Sequence, residues 1–388
     1  MDVNQIYELV NTITEETTGK TDLVKEDLSN IVDAGKELFS AVAVDNYVKS
    51  LVNRIGKTIF VNRAYNGKIP SVVMDAWEFG SVLQKIQCDI PEATENESWE
   101  LQDGASYDPN IFYKPKVSAK FFNSRVTFEI PLSFTEKQVK ESFNSATELN
   151  AFLSMLYNSV EKSMTVKTDS LVMRCINNMI ANTYDNDAVG NRAINLLKGY
   201  NTVNGFTGAD ALTVDKALTN SEFLRYASMQ VALYIDRLQT MSTIFNAGGK
   251  ERFTPRDMLH IVLLSDFAQA TKTYLDSDTF HNELVSLPNS ETVAYWQGSG
   301  KGFNFTDVSS INVQIATDNG KKDVSVSGVL GVMFDRDSLG VSNLDRRVTT
   351  NYNPKAEFYS NWYKFDAGYF NDFNENFIVF YIADDNQA

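Results

Sequence analysis

"SATELNAFLSMLYNSVEKSMTVKTDSLVMRCINNMIAN", residues 145–182, reads as one helix. Ser145 followed by Glu148 is a capping-box pattern at its start. Leu149, Phe152, Leu153, Leu156, Val160, Met164, Leu171, Val172, Ile176, Met179 and Ile180 recur at about 3.6-residue spacing. No proline or glycine interrupts the run. About 36 helical residues at ~1.5 Å rise give a rod of roughly 54 Å. Helices of globular domains usually run ~10–14 residues. A rod of this length sets the frame for the rest of the chain.

Upstream, residues 1–40 carry nine acids against three lysines. Ile6, Leu9, Val10 and Ile13 sit at helical spacing. The segment reads as an amphipathic acidic arm that buries its stripe on something else, for which a second subunit is one choice. Residues 57–135 change character. "KTIFVNRAY", "SVVMDAWEF", "VLQKIQCDI" and "YKPKVSAKFFNSRVTFEIPLSF" are strand-like, separated by "NGKIP" and an acidic loop. In the last run Lys116, Ser118, Lys120 and Phe122 share one face by period two, and Val117, Ala119, Phe121 and Asn123 the other. Such a ribbon has little core of its own. Lys114, Lys116, Lys120 and Arg125 lie on or beside it. Two readings stand for them: an ordinary solvated ribbon, or a contact with an acidic patch of a neighbouring subunit.

Downstream of the rod, residues 187–345 alternate helices and strands. "SEFLRYASMQVALYIDRLQTMSTIF", "DFAQATKTYLD" and "FHNELVS" read as helices; "DMLHIVLLS", "INVQIA" and "DVSVSGVLGVMFD" read as strands. The ending is aromatic: twelve of the thirty residues from Tyr352 to Tyr381 carry rings. Rings in this density serve to stack on bases, to stack on sugars, or to pack against protein. Phe377, Val379 and Tyr381 alternate with Ile378, Phe380 and Ile382, so both faces of the last strand are apolar. That pattern belongs to a strand buried on both sides. Stacking platforms need nearby positive charge, and nothing basic follows Lys364.

The totals exclude several classes. The chain has 388 residues, 43% hydrophobic and 22% charged, with a formal net charge of −15. That balance repels polyphosphate at long range and differs from the basic patch of a nucleic-acid binder. No run reaches the ~18 apolar residues of a membrane span. The start lacks the basic and apolar regions of a signal peptide, so an intracellular product is expected. Cys88 and Cys175 are too few for a disulfide framework and are expected to be buried and inert. His260 precedes the apolar "IVLL" and reads as structural; His281 beside Glu283 reads as solvated surface. "YWQGSGKGFNF", residues 295–305, fails the phosphate-loop pattern at two places and reads as a surface loop. "ENESWELQDG" does not keep calcium-loop spacing. No catalytic, cofactor or metal constellation emerges.

The order of parts carries a resemblance. "NYVKSLVNRIGKTIFVNRAYNGKIP" (46–70), the helix 145–182, and "GVLGVMFDRDSLGVSNLDRRVTTNYNPKAEFYSNWYKFDAGYFNDFNENFIVFYIA" (328–383) resemble the major capsid proteins of tailed bacteriophages, the Hong Kong 97-like fold. The pattern is most similar to short-tailed phages of Gram-positive bacteria. The resemblance implies an α+β chain with an N-terminal arm (1–56) and an extended loop with flanking strands (57–135). It further implies a peripheral domain of spine helix and closing strands (136–189 and 346–388) and an axial domain (190–345). It implies a virion shell of hexamers and pentamers around double-stranded DNA, assembled in the host bacterial cytoplasm. A scaffold protein and a portal are the implied partners, with no membrane and no tight sequence-specific DNA binding. In that frame Lys114, Lys116, Lys120, Arg125, Trp362 and Tyr363 become expected intersubunit contacts. Two alternatives share some of these features: an encapsulin-type compartment, and a tail or adhesin protein that stacks glycans on its C-terminal rings.

Overall fold

In a computed structural model the protein is described over residues 3–19, 24–25, 27–41, 46–52, 72–74, 83–88, 90–91, 93, 103–104, 110–187, 189–276, 290–296, 311–317 and 320–384. Several sequence readings lie outside these residues: most of the strands at 57–65 and 71–79, the helix at 280–286, His281, and the glycine-rich part of 295–305.

The rod is a single helix, Ala146–Asp185, of 40 residues. It starts where Ser145 Oγ accepts the Glu148 N–H at 3.1 Å. It runs three residues past the expected stretch, which ends at Asn182, because Thr183 stays buried and Tyr184 packs edge-on against Tyr381. Its two halves bury different surfaces. Leu149, Leu153, Leu156, Val160 and Met164 form one stripe, the burial expected of an amphipathic surface helix. From Leu171 to Ala181 burial runs nearly all round, with Arg174 the exposed exception. Beyond the helix Asp187 turns the chain. Its carboxylate accepts backbone N–H groups of Gly190, Asn191, Arg192 and Ala193 at 2.6–3.2 Å.

Among the described residues the strands form four sheets. Strands β1 (Val73–Met74), β4 (Arg125–Thr135), β11 (Leu339–Asn353) and β12 (Phe358–Asn371) form one, in the order β1-β11-β12-β4. Strands β5 (Ala193–Asn195), β6 (Leu259–Leu264), β7 (Ser290–Val293), β10 (Val329–Asp335) and β13 (Phe377–Tyr381) form a second, in the order β5-β13-β10-β6-β7. Among the described residues, strand β2 (Leu83–Cys88) pairs only with β3 (Val117–Phe122), and β8 (Ile311–Thr317) with β9 (Gly320–Val326).

Three cores follow. In the first, the N-terminal half of the long helix meets Tyr359, Tyr363 and Phe365 of β12 and the arm helices Val3–Thr18 and Ile31–Ala41, through Val10, Ile13, Ile31 and Ala34. The arm therefore buries Val10 and Ile13, the described part of its stripe, on its own subunit. Gly19 allows this: its φ of +68° breaks the first helix in a conformation that disfavours a side chain. In the second core, the C-terminal half of the helix meets Val332, Phe334, Phe377 and Val379 and the β8–β9 hairpin. Trp296 pins it: Asn177 donates to the Trp296 carbonyl at 2.7 Å, and the indole donates to the Val329 carbonyl at 2.9 Å. In the third, Ile261, Leu263, Met333, Ile378 and Phe380 meet the helices Leu196–Asn204, Ser221–Gln239 and Ser265–Asp276.

The last strand shows the expected two-sided burial. Phe377 and Val379 enter the second core; Ile378 and Phe380 enter the third. Its place differs from expectation. It pairs with β10 and β5, so it joins the sheet of the expected axial region rather than the closing strands beside it in sequence. Two long runs are also divided. Residues 113–134 break at Asn123 and Ser124, and β3 and β4 enter different sheets. Residues 323–335 break at Gly328, φ +69°, where the chain passes under the Ile382 carbonyl.

Candidate assembly interface

The β2–β3 ribbon is the part of the molecule with an inverted face pattern. Register places Leu83/Phe122, Lys85/Lys120 and Gln87/Ser118 on one face, and Gln84/Phe121, Ile86/Ala119 and Cys88/Val117 on the other. The lysine face turns toward the body. The apolar face turns outward: Ile86, Val117 and Phe121 are 64%, 60% and 61% exposed. The approach to β3 continues it, with Phe112 and Tyr113 at 83% and 82%. A two-stranded sheet in water normally shows its polar side. Grouped apolar exposure of this kind marks an interaction surface.

The inward face is held by ion pairs on one turn, residues 372–376. Asp372, with no exposed side-chain surface, receives Lys120 Nζ at 2.8 Å and Lys85 Nζ at 3.0 Å. Glu375 receives Lys85 at 2.6 Å, Arg252 at 3.3 Å and the Gln87 amide at 3.2 Å. The Phe122 and Phe370 rings meet at 5.1 Å between centroids. Burial opposes the charge on Asp372, yet the Lys120 and Lys85 ammonium groups and the Asn374 N–H outweigh it and hold the carboxyl below its usual range. Burial likewise opposes the charge on Lys85, yet Glu375 and Asp372 raise its pKa. Nearby Asp335 goes the other way: burial lifts it above the usual range despite bonds from the Asp337 N–H and Thr254 hydroxyl.

These directions fix a pH dependence. Asp372 is depressed in the fold, so its contribution is present above the unfolded carboxylate pKa and is lost as pH falls through the lower folded value. The Lys85 contribution is present below the unfolded lysine pKa and is lost as pH rises through the raised folded value. Wild-type protein should therefore lose urea resistance below about pH 4 more steeply than Asp372→Asn, which has no charge to lose. Parallel acid limbs in the two proteins would show that Asp372 is not coupled to stability.

The expected contact residues divide. Lys114 and Lys116 are exposed on the approach to β3, beside the outward apolar face. Lys120 turns inward to Asp372 of its own subunit. Arg125 is exposed at the start of β4, where its charge, after the Arg347 and Thr127 hydrogen bonds, helps hold Asp366 below its usual range. Trp362 is half-buried on the outer face of the first sheet, opposite Pro131 and Thr349. Tyr363 is a correction: it is fully buried in the first core, because adjacent strand residues point to opposite faces. The expectation of buried thiols holds for Cys175, whose thiol burial pushes up to about 12, whereas Cys88 is exposed. His260 lies buried in β6, stacked on Phe334.

Sequence reasoning missed Lys85, Arg252, Asp372 and Glu375. A signal existed for the first: Lys85 and Gln87 alternate with Gln84 and Ile86, which leaves both faces mixed and hides the direction. Among the described residues no group of His, Cys, Asp and Glu is arranged to hold a metal ion. No described helix is long and apolar enough to cross a membrane.

The family model described as Phi29-like phage major capsid protein matches residues 10–381. Among solved structures, the capsid structure of Staphylococcus phage Andhra is similar with a TM-score of 0.54 at 10% identity, over 84% of this chain and 86% of that one. A chain in the structure of head fiber and inner core protein gp22 of bacteriophage P68 is similar with a TM-score of 0.53 at 9% identity, with the same coverages. The comparison with curated proteins returns no match. The structural likenesses establish the fold, an α+β Hong Kong 97-like architecture.

Proposed function

The chain belongs to the Phi29-like phage major capsid protein family, and from that premise we propose that its subunits close into an icosahedral shell of hexamers and pentamers around double-stranded DNA. The observation that carries the reading is the inverted ribbon. Its lysine face is satisfied within the subunit, and its apolar face, from Phe112 to Phe121 and Ile86, is exposed among the described residues. A neighbouring copy is the partner this surface fits. Lys114 and Lys116, exposed beside that face, are proposed to join the contact, with Arg125 and Trp362 on the neighbouring sheet as further candidates.

In this reading residues 1–56 are the arm, 57–135 contain the extended loop, 136–189 with 346–388 make the peripheral domain, and 190–345 make the axial domain. β13 would then tie the peripheral and axial parts together. A scaffold protein and a portal would join during assembly in the host cytoplasm. Membership of a phage capsid family favours this reading over a cargo compartment or a glycan-binding tail protein. The net charge of −15 suits a wall that does not retain the DNA it encloses.

The test is Val117→Asp with Phe121→Asp. Both positions are exposed, so folding stability should change by no more than about 0.5 kcal/mol each. Shell yield in sedimentation should collapse. Wild-type shell yield from this variant would remove the outward face as the contact.

A further inference from the structure

We infer that Asp372 and Glu375 are positioning residues: they form an ionic latch that sets where the β2–β3 ribbon stands on its own subunit, and that can be opened without unfolding the body. The inference concerns the isolated subunit and stands apart from the shell reading.

The turn that carries them is a rigid post. Asp372 N–H donates to the Ser338 carbonyl at 2.6 Å, and Phe377 N–H to the Phe245 carbonyl at 3.0 Å. The Asn376 amide donates to the Thr254 hydroxyl at 3.1 Å, and Asp335 N–H to the Asn376 carbonyl at 3.1 Å. Gly248 N–H donates to the Phe373 carbonyl, and a Cβ at Gly248 would collide with Asn374. The post is thus fastened to the loop 245–254, to β10 and to the turn that precedes β11.

The ribbon is fastened differently. Among the described residues its links to the post are charged or polar: Lys85, Lys120 and Gln87 on the two carboxylates, with Lys85 also 3.4 Å from the Asp337 carbonyl. Phe122 on Phe370 adds one ring contact. One side of the latch, at Lys85 and Glu375, also borders water. A cavity of about 320 Å³ lies between ribbon and body, lined by Lys85, Cys88, Arg252, Phe253, Met258 and Glu375. Among the described residues the charged groups facing the carboxylates are Lys85 from β2, Lys120 from β3, Arg252 from the loop before β6, Asp335 at the end of β10 and Asp337 in the turn after it. An apolar joint would resist removal of a single charge. An ionic joint beside a water-accessible cavity depends on each one, because a buried charge that loses its partner is costly. The arrangement holds the apolar face at a defined angle while leaving it free to move once the pairs open.

The experiment uses the full-length unassembled protein with two spin labels, at Ala119→Cys on the ribbon and Val203→Cys on the body, in a Cys88→Ser background. Both label sites are exposed, and buried Cys175 does not compete for reagent. Pulsed electron–electron resonance should give one narrow distance in the parent. Asp372→Asn should broaden the distribution at least about twofold, as the ribbon samples unlatched positions. Lys120→Gln should do the same, and Lys120→Arg should restore the narrow distance. If Asp372→Asn loses the helical circular dichroism of the parent, the Lys120 pair decides, since Lys120 lies on the ribbon. Unchanged distributions in Asp372→Asn and Lys120→Gln, or equal broadening in Lys120→Gln and Lys120→Arg, would overturn the latch.

Discussion

Lys120→Glu is expected to displace the ribbon and stop assembly. The new carboxylate would face Asp372, whose side chain is fully buried and now sits 2.8 Å from the Lys120 ammonium. Breaking a buried pair by removing one partner costs about 3–5 kcal/mol. The lower end applies, because Lys120 is 39% exposed and Lys85 remains 3.0 Å from the other oxygen. At 1.4 kcal/mol per factor of ten, even ~3 kcal/mol shifts the latched population more than a hundredfold. Sedimentation should then find subunits rather than shells. Lys116→Glu sits on exposed chain and should change folding stability by no more than about 0.5 kcal/mol. The two lysines looked equivalent on one strand face; their expected effects now differ in kind. Wild-type assembly by Lys120→Glu would remove the latch from the account of the ribbon.

The second large effect is at Gly328. Its φ is +69°, and a Cβ placed there would sit 2.1 Å from the Ile382 carbonyl oxygen. That oxygen is backbone, and the Ile382 N–H donates to the Gly328 carbonyl at 2.9 Å, so neither chain yields without losing the bond. The left-handed conformation alone costs a non-glycine residue about 1–2 kcal/mol. With the collision, Gly328→Ala should lose at least about 3 kcal/mol, in the range reserved for backbone strain and core disruption. Urea denaturation followed at the long helix would measure it. A loss below 1 kcal/mol would mean that the β9–β10 turn and the end of β13 are not locked together.

What the sequence makes legible is local. Ser145 and the apolar spacing after it place the long helix because capping and period are properties of neighbouring residues. The alternation from Phe377 to Ile382 shows two-sided burial for the same reason. Partners across the chain are not legible. Lys120 and Asp372 are 252 residues apart, and Lys85 and Glu375 are 290 apart. No local pattern links them. Trp362 and Tyr363 show the same limit at one-residue scale: alternation says that they face opposite ways, and only the register of β12 against β4 and β11 decides which is inside. The arm is a further case. Its stripe is plain in sequence, but the surface that covers Val10 and Ile13, Leu149 to Met164 of the long helix, lies more than a hundred residues away and no local pattern names it.

The most direct test is cryo-electron microscopy of the expressed protein, alone and with a co-expressed scaffold. The account predicts closed shells with five- and six-subunit rings, in which the face bearing Ile86, Val117 and Phe121 is covered by a neighbouring copy. Monomers persisting at high concentration under both conditions, or shells with that face open to solvent, would contradict it.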